Sequence, residues 1–158
     1  LISSCGVFKP SAELSHFKDY FVQNNLDNSI HDGKVAITFL GTSSLLIDDG
    51  ETQLLIDGFF SRPSLCKVGF GKVRTDTNIV KSIISKVHIN KLNAIFVCHS
   101  HYDHAMDAPA IAKITGSSLH GSSSTLNVGR GAGLSENKMN LFVPGKELQI
   151  GKFLVTIW

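Results

Sequence analysis

A chain of 158 residues with 42% hydrophobic content can bury a core of its own, and its 18% charged content is low for a domain solvated on every side, so some apolar surface is expected to meet another unit. The net charge of +2 comes from dispersed lysines and arginines with no aromatic residues interleaved in a basic run, which argues against nucleic acid as a partner. Cys5, Cys66 and Cys98 are odd in number and widely spaced, which argues against a disulfide framework or a cysteine zinc site, and no stretch is long and apolar enough to span a bilayer.

The chain opens on Leu1-Ile2-Ser3-Ser4-Cys5-Gly6, which resembles the end of a bacterial lipoprotein signal peptide. Residues 1–10 then read as a signal remnant or linker with a lipid anchor at Cys5, or as an ordinary start with a stray cysteine. The first places the protein in the bacterial envelope facing the periplasm, the second in the cytoplasm. Ser11 caps a predicted helix from Ala12 to about Gln23, with Leu14, Phe17 and Phe21 on one face. The polar run Asn24 to Gly33 ends it. From Val35 to Ile47 and from Leu54 to Ile56 the pattern predicts strands, joined by an Asp49-Gly50 hairpin signal into a β-meander. Thr77 to His88 carries Ile79, Val80, Ile83, Ile84 and Val87, a helical stripe directed at the core.

Asn93 to Cys98 reads as a buried strand, and directly after it comes His99-Ser100-His101-Tyr102-Asp103-His104. Imidazole nitrogen and carboxylate oxygen together suit zinc, manganese or iron. At a strand end, residues two apart share a side, so His99 and His101 converge on one ion while Asp103 and His104 are displaced enough to serve a second. A surface histidine cluster or a structural zinc site are the plainer alternatives, but structural zinc sites usually recruit cysteines in spaced pairs. On the same alternation Cys98 points away from His99 into the core. Asp107 reads as the N-cap of a helix running to about Ile114 with Pro109 in its first turn, or alternatively as a further ligand. Gly129-Arg130-Gly131-Ala132-Gly133 superficially resembles a phosphate-cradling loop but lacks the P-loop lysine, leaving Arg130 as a side chain to face the pocket. His16, His31, His88 and His120 have no partners at ligand spacing and read as surface or core.

The motif resembles the signature of the metallo-β-lactamase superfamily, His-x-His-x-Asp-His after a buried strand. Val35 to Ile47 followed by Leu54-Leu55-Ile56-Asp57 resembles the family's opening strands and first acidic motif. The stretch from His101 through Asp107, with Gly121 to Gly131, resembles the branch that holds lactonase-like and phospholipase D-like zinc hydrolases. The resemblance implies an α/β (α+β) fold in which residues 11–158 form the N-terminal half of the αββα sandwich, a mixed β-sheet flanked by helices. It implies that Asp57 braces the metal loop from behind the ligands, and that the loop after Asp57 approaches the pocket. There Phe60 would meet an acyl or sugar portion of substrate and Arg62 a phosphate, unless both Phe59 and Phe60 are core.

Two divalent ions follow from the resemblance, zinc first, with manganese or iron open. They would generate hydroxide for attack on an ester, lactone or phosphoester of a small-molecule substrate, phosphorylated, lactone or phospholipid-like, with Asp103 as the catalytic proton acceptor. In the family a third histidine lies just beyond the strand that Lys152 to Trp158 resembles, then a bridging aspartate and a last histidine. None is in this sequence, so a C-terminal half or partner chain is expected to supply them and the piece alone to turn over little. A diiron redox protein on the same fold and a non-catalytic envelope-associated binding protein are the alternatives.

Overall fold

A computed structural model describes residues 33–158. The helix expected at 12–23, Cys5, His16 and His31 lie outside the described residues.

The opening meander is present: β1 (Ala36–Gly41), β2 (Ser44–Asp48) and β3 (Gln53–Ile56) pair antiparallel in order. Asp49 makes the β2–β3 turn by accepting the N–H groups of Glu51 and Thr52 on Oδ1 at 2.9 and 2.6 Å. These backbone bonds, the largest cause, hold its carboxyl below the usual aspartate range. From β3 onward the sheet is parallel. β4 (Leu92–Phe96), β5 (Ser118–Gly121) and β6 (Met139–Leu141) follow in spatial order β1-β2-β3-β4-β5-β6. Parallel neighbours require crossovers, and helices supply them. α1 (Leu65–Phe70) and α2 (Thr77–Lys86) lie between β3 and β4, α3 (Tyr102–Ala105) and α4 (Ala108–Thr115) between β4 and β5, and α5 (Ser123–Gly131) with a 3₁₀ turn between β5 and β6.

Register turns the alternation of the strands into two cores. Leu46 pairs with Leu55, Leu55 with Ile95, Ile95 with Leu119 and Leu119 with Met139, so one row crosses five strands on one face. It packs against Val80 of α2, Ala108, Ile111 and Ala112 of α4, and Leu126 of α5. Leu55, Ile95 and Leu119 are fully buried there, each contributing about 1.5–3 kcal/mol by leaving water. Leu54, Ala94 and Phe96 project from the other face. They are covered by an antiparallel hairpin of β7 (Glu147–Ile150) and β8 (Phe153–Thr156) through Leu148, Ile150, Phe153 and Val155. The architecture is therefore helices, mixed sheet, hairpin. On edge strand β1, Ile37 and Phe39 remain 62% and 67% exposed, in keeping with the low charged content.

Two expectations, for Asp107 and Cys98, change at this level. Asp107 precedes α4 but makes no side-chain capping bond, its carboxylate being drawn to another loop. Gly129 and Gly131 belong to α5 rather than to a phosphate loop. Gly129 is a contact glycine, since a Cβ there would lie 2.5 Å from Met139 Sδ. Cys98 is exposed rather than core, because β4 ends at Phe96 and the alternation no longer governs two residues later. α2 is capped by Asp76, which accepts from the N–H groups of Asn78 and Ile79.

Candidate metal centre

The parallel pairing of Ile56 with Phe96 makes the carboxyl ends of β3 and β4 emerge side by side, the place where open α/β sheets bind ligands. Asp57 is the first residue past β3. It is fully buried, and its N–H donates to Phe96 O at 2.8 Å. Its φ of +57° lies in the left-handed region, and this bend turns the carboxylate across to the β4 loop. There Oδ1 accepts the Cys98 N–H at 2.8 Å, and Oδ2 lies 2.8 Å from His104 Nδ1.

Past β4 the chain passes through His99 to His101, which is extended and whose carbonyl accepts the N–H groups of His104 and Ala105 and so starts α3. That turn brings three imidazoles together. The ring centroids of His99 and His101 are 4.1 Å apart and those of His99 and His104 5.5 Å apart, both pairs edge-on. With Asp57 accepting at Nδ1, the proton of His104 is held on that nitrogen and the lone pair of Nε2 is turned outward, toward Asp103 Oδ2 at 3.8 Å. Ser43 Oγ sits 3.0 Å from the same Nδ1.

This arrangement fits divalent ions in donor chemistry and in the carboxylate-to-imidazole bond that commonly stands behind a metal-ligating histidine. Among the described residues no three His, Cys, Asp or Glu side chains are grouped closely enough to hold one ion. Cys98 opens beside the cluster, where partial burial and then the Asp57 carboxylate push its thiol above the ordinary range.

The site has the spacing, strand context and buried aspartate expected of the family it resembles, and the metallo-β-lactamase superfamily model matches residues 37–156. The chain belongs to that superfamily. Over 83 residues it is 35% identical to a UPF0173 metal-dependent hydrolase from Heliobacterium modesticaldum, a match covering 52% of this chain and 28% of the relative. A UPF0173 metal-dependent hydrolase from Christiangramia forsetii is 37% identical over 82 residues, 51% of this chain and 29% of that one. The match thus spans less than a third of these relatives' length. The crystal structure of the metallo-β-lactamase SMB-1 in complex with mercaptoacetic acid superposes with a TM-score of 0.52 over 75% of this chain and 48% of that one. At 18% identity it shows a shared fold.

In this metallo-β-lactamase superfamily chain the side chains expected to meet substrate are engaged with other parts of the chain. Phe60 is 2% exposed and packed in the helix-side core, because the N–H groups of the 57–61 loop are drawn inward. Phe59 is buried too, edge-on to Tyr102 with centroids 5.9 Å apart. Arg62 turns its guanidinium to the carbonyl of Leu40. Arg130 is exposed on α5, forked onto Glu136 at 2.6 and 2.9 Å and bonded to Asn127 at 2.8 Å, so it faces its own helix surface. Two serines were missed. Ser43 contacts His104, and Ser44, fully buried, accepts the N–H groups of Gly58 and Phe59. Their only sequence signal is the small polar run Gly41-Thr42-Ser43-Ser44 between two apolar stretches, and nothing in its spacing links it to the motif.

Proposed function

We propose that this protein is a metal-dependent hydrolase acting on an ester, lactone or phosphoester of a small molecule. The observation that carries the reading is the buried Asp57 carboxylate bonded to His104 Nδ1, which leaves Nε2 beside Asp103 and next to the paired rings of His99 and His101. The similarity to UPF0173 proteins named as metal-dependent hydrolases supports it. His99 and His101 would hold one ion, and Asp103 with His104 a second. Zinc is the metal this nitrogen-rich set suits best, with manganese or iron as alternatives. Bound divalent ions supply Lewis acidity and lower the pKa of a water toward about 7.

The chain's own residues do the rest. Asp57 holds the imidazole of His104 in one tautomer and one orientation, and Ser43 flanks the same nitrogen. Asp103, partly exposed at the start of α3, stands where a carboxylate would accept the proton of an attacking water.

The test is elemental analysis of the whole protein purified from a metal-supplemented culture, followed by turnover of a panel of aryl esters, lactones and phosphodiesters with and without chelator. Chelator-sensitive hydrolysis of at least one class by zinc- or manganese-loaded protein is expected. Full metal occupancy with no hydrolysis of any class, or iron with redox activity in its place, would overturn the proposal.

A further inference from the structure

We propose that Asp107 is a positioning residue for the metal centre, a buried carboxylate that locks the 57–61 loop in the conformation that aims Asp57 at His104; this role rests on the metal-centre reading above. At φ +57° Asp57 occupies backbone space that an aspartate holds only where its surroundings over-determine it. The four residues after it are held by side chains. Gly58 and Phe59 donate their N–H groups to Ser44 Oγ at 3.2 and 2.9 Å, and Phe60 and Ser61 donate theirs to Asp107 Oδ2 at 2.8 and 2.6 Å. The other oxygen, Oδ1, accepts the Ser61 hydroxyl at 2.8 Å. That hydroxyl in turn accepts the Asp76 N–H at 2.7 Å, tying the loop to the start of α2.

Every atom of this clamp is dry or nearly so. Ser44, Asp57 and Asp107 are 0% exposed and Ser61 8%, so water cannot readily replace a lost partner. The loop is also pressed against its neighbours, since a Cβ on Gly58 would lie 2.8 Å from both Ile111 and Leu55.

Asp107 follows His104 by three positions, so one short stretch of chain carries both a metal-facing imidazole and the clamp. Asp57 grips His104, and Asp107 grips the loop that Asp57 begins, which closes a ring of contacts through residues 57, 104, 107 and 60. Removing the Asp107 carboxylate frees Phe60 and Ser61, allows Asp57 to relax toward extended backbone, and withdraws the acceptor from His104 Nδ1. Metal affinity then falls even though no ligand has changed.

The experiment, on the whole protein, measures zinc affinity by competition with a chromogenic chelator, the visible spectrum of the cobalt-substituted form, and thermal unfolding of the metal-free form. The variants are Asp107→Ala, Asp107→Asn, Ser61→Ala and, as a control for stability alone, Val80→Ala in α2. Asp107→Ala is expected to weaken zinc binding by roughly 10–100-fold and to alter the cobalt spectrum. Asp107→Asn, which keeps an oxygen for the two backbone N–H groups, is expected to recover most of that affinity. Val80→Ala is expected to lower the unfolding temperature without moving zinc affinity. If Asp107→Ala fails to fold, Ser61→Ala decides, with several-fold weaker zinc binding expected. Parent-like zinc affinity in Asp107→Ala or, failing that, in Ser61→Ala overturns the clamp and leaves the metal centre standing. Equal loss in Val80→Ala also overturns it, by reducing the effect to stability. A whole parent protein that binds neither zinc nor cobalt overturns the metal centre, and the clamp with it.

Discussion

Asp57 joins the end of one strand to the loop after its neighbour, through one oxygen to a backbone N–H and through the other to an imidazole. Asp57→Asn keeps the shape and exchanges an acceptor for an amide, so His104 loses the carboxylate that orients it. Zinc affinity is expected to fall by roughly 10–100-fold while the far-UV circular dichroism stays unchanged, a result that chelator competition reads directly. Arg130 is the opposite case. The hydrogen bond to Glu136, and after it the charge of Glu136, raise the guanidinium pKa, but the pair joins α5 to the following 3₁₀ turn on the exposed surface, where such contacts are screened and contribute little. Arg130→Ala is therefore expected to leave zinc affinity and kcat/KM at parent values, and a large rise in KM would return Arg130 to the substrate pocket. The sequence named no partner for Asp57, but a place behind the metal loop was legible through the resemblance of Leu54-Leu55-Ile56-Asp57 to the family's first acidic motif. The role of Arg130 was not, because a glycine-flanked arginine reads the same whether its helix faces a pocket or water.

Among the elements, the parallel strands carry the most burial. Leu55→Ala in β3 removes a 0% exposed side chain from the row that crosses the sheet. It is expected to cost about 2–5 kcal/mol, measured by urea unfolding of the metal-free chain. β5 holds a titratable group the chemistry does not use. His120 is 6% exposed, stacks on Phe96 with centroids 4.9 Å apart, and bonds Ser118 Oγ through Nε2 at 2.8 Å. Burial pushes its pKa below 6.5. The folded chain therefore disfavours the imidazolium, whereas the unfolded chain takes up the proton near its ordinary value. The stability this contributes is complete above about pH 6.5 and is lost as pH falls below that toward the lowered folded value. His120→Leu is expected to flatten this part of the urea-midpoint profile, and a slope equal to the parent's would contradict it. β1 to β4 were legible from period-two alternation and apolar runs, and α2 from its stripe, whereas the short strands β5, β6 and β7 were not. α5 was not legible, because three glycines and three serines over residues 121–131 conceal the Leu126 and Thr125 face that it buries against β5 and β6.

For the whole molecule, helices cover one face of the mixed sheet and a hairpin covers the other, with the metal-type donors at the strand ends outside both cores. Metal that binds only the folded chain stabilises it by mass action, by about 2.7 kcal/mol at free metal one hundred times Kd. Scanning calorimetry is expected to show a zinc-dependent rise in Tm that chelator reverses, and an unchanged Tm at saturating zinc would contradict the site. By itself the sequence determined the donor set and the strands that carry it, because ligand spacing and side-chain alternation are properties of neighbouring residues. Only the tertiary structure decided that Asp57 meets His104, that Asp107 clamps a loop instead of capping its own helix, and that Phe60 and Arg130 turn away from the site. Those outcomes depend on the Ile56–Phe96 register and on which buried N–H groups lack a strand partner, and both are set by segments some forty residues apart.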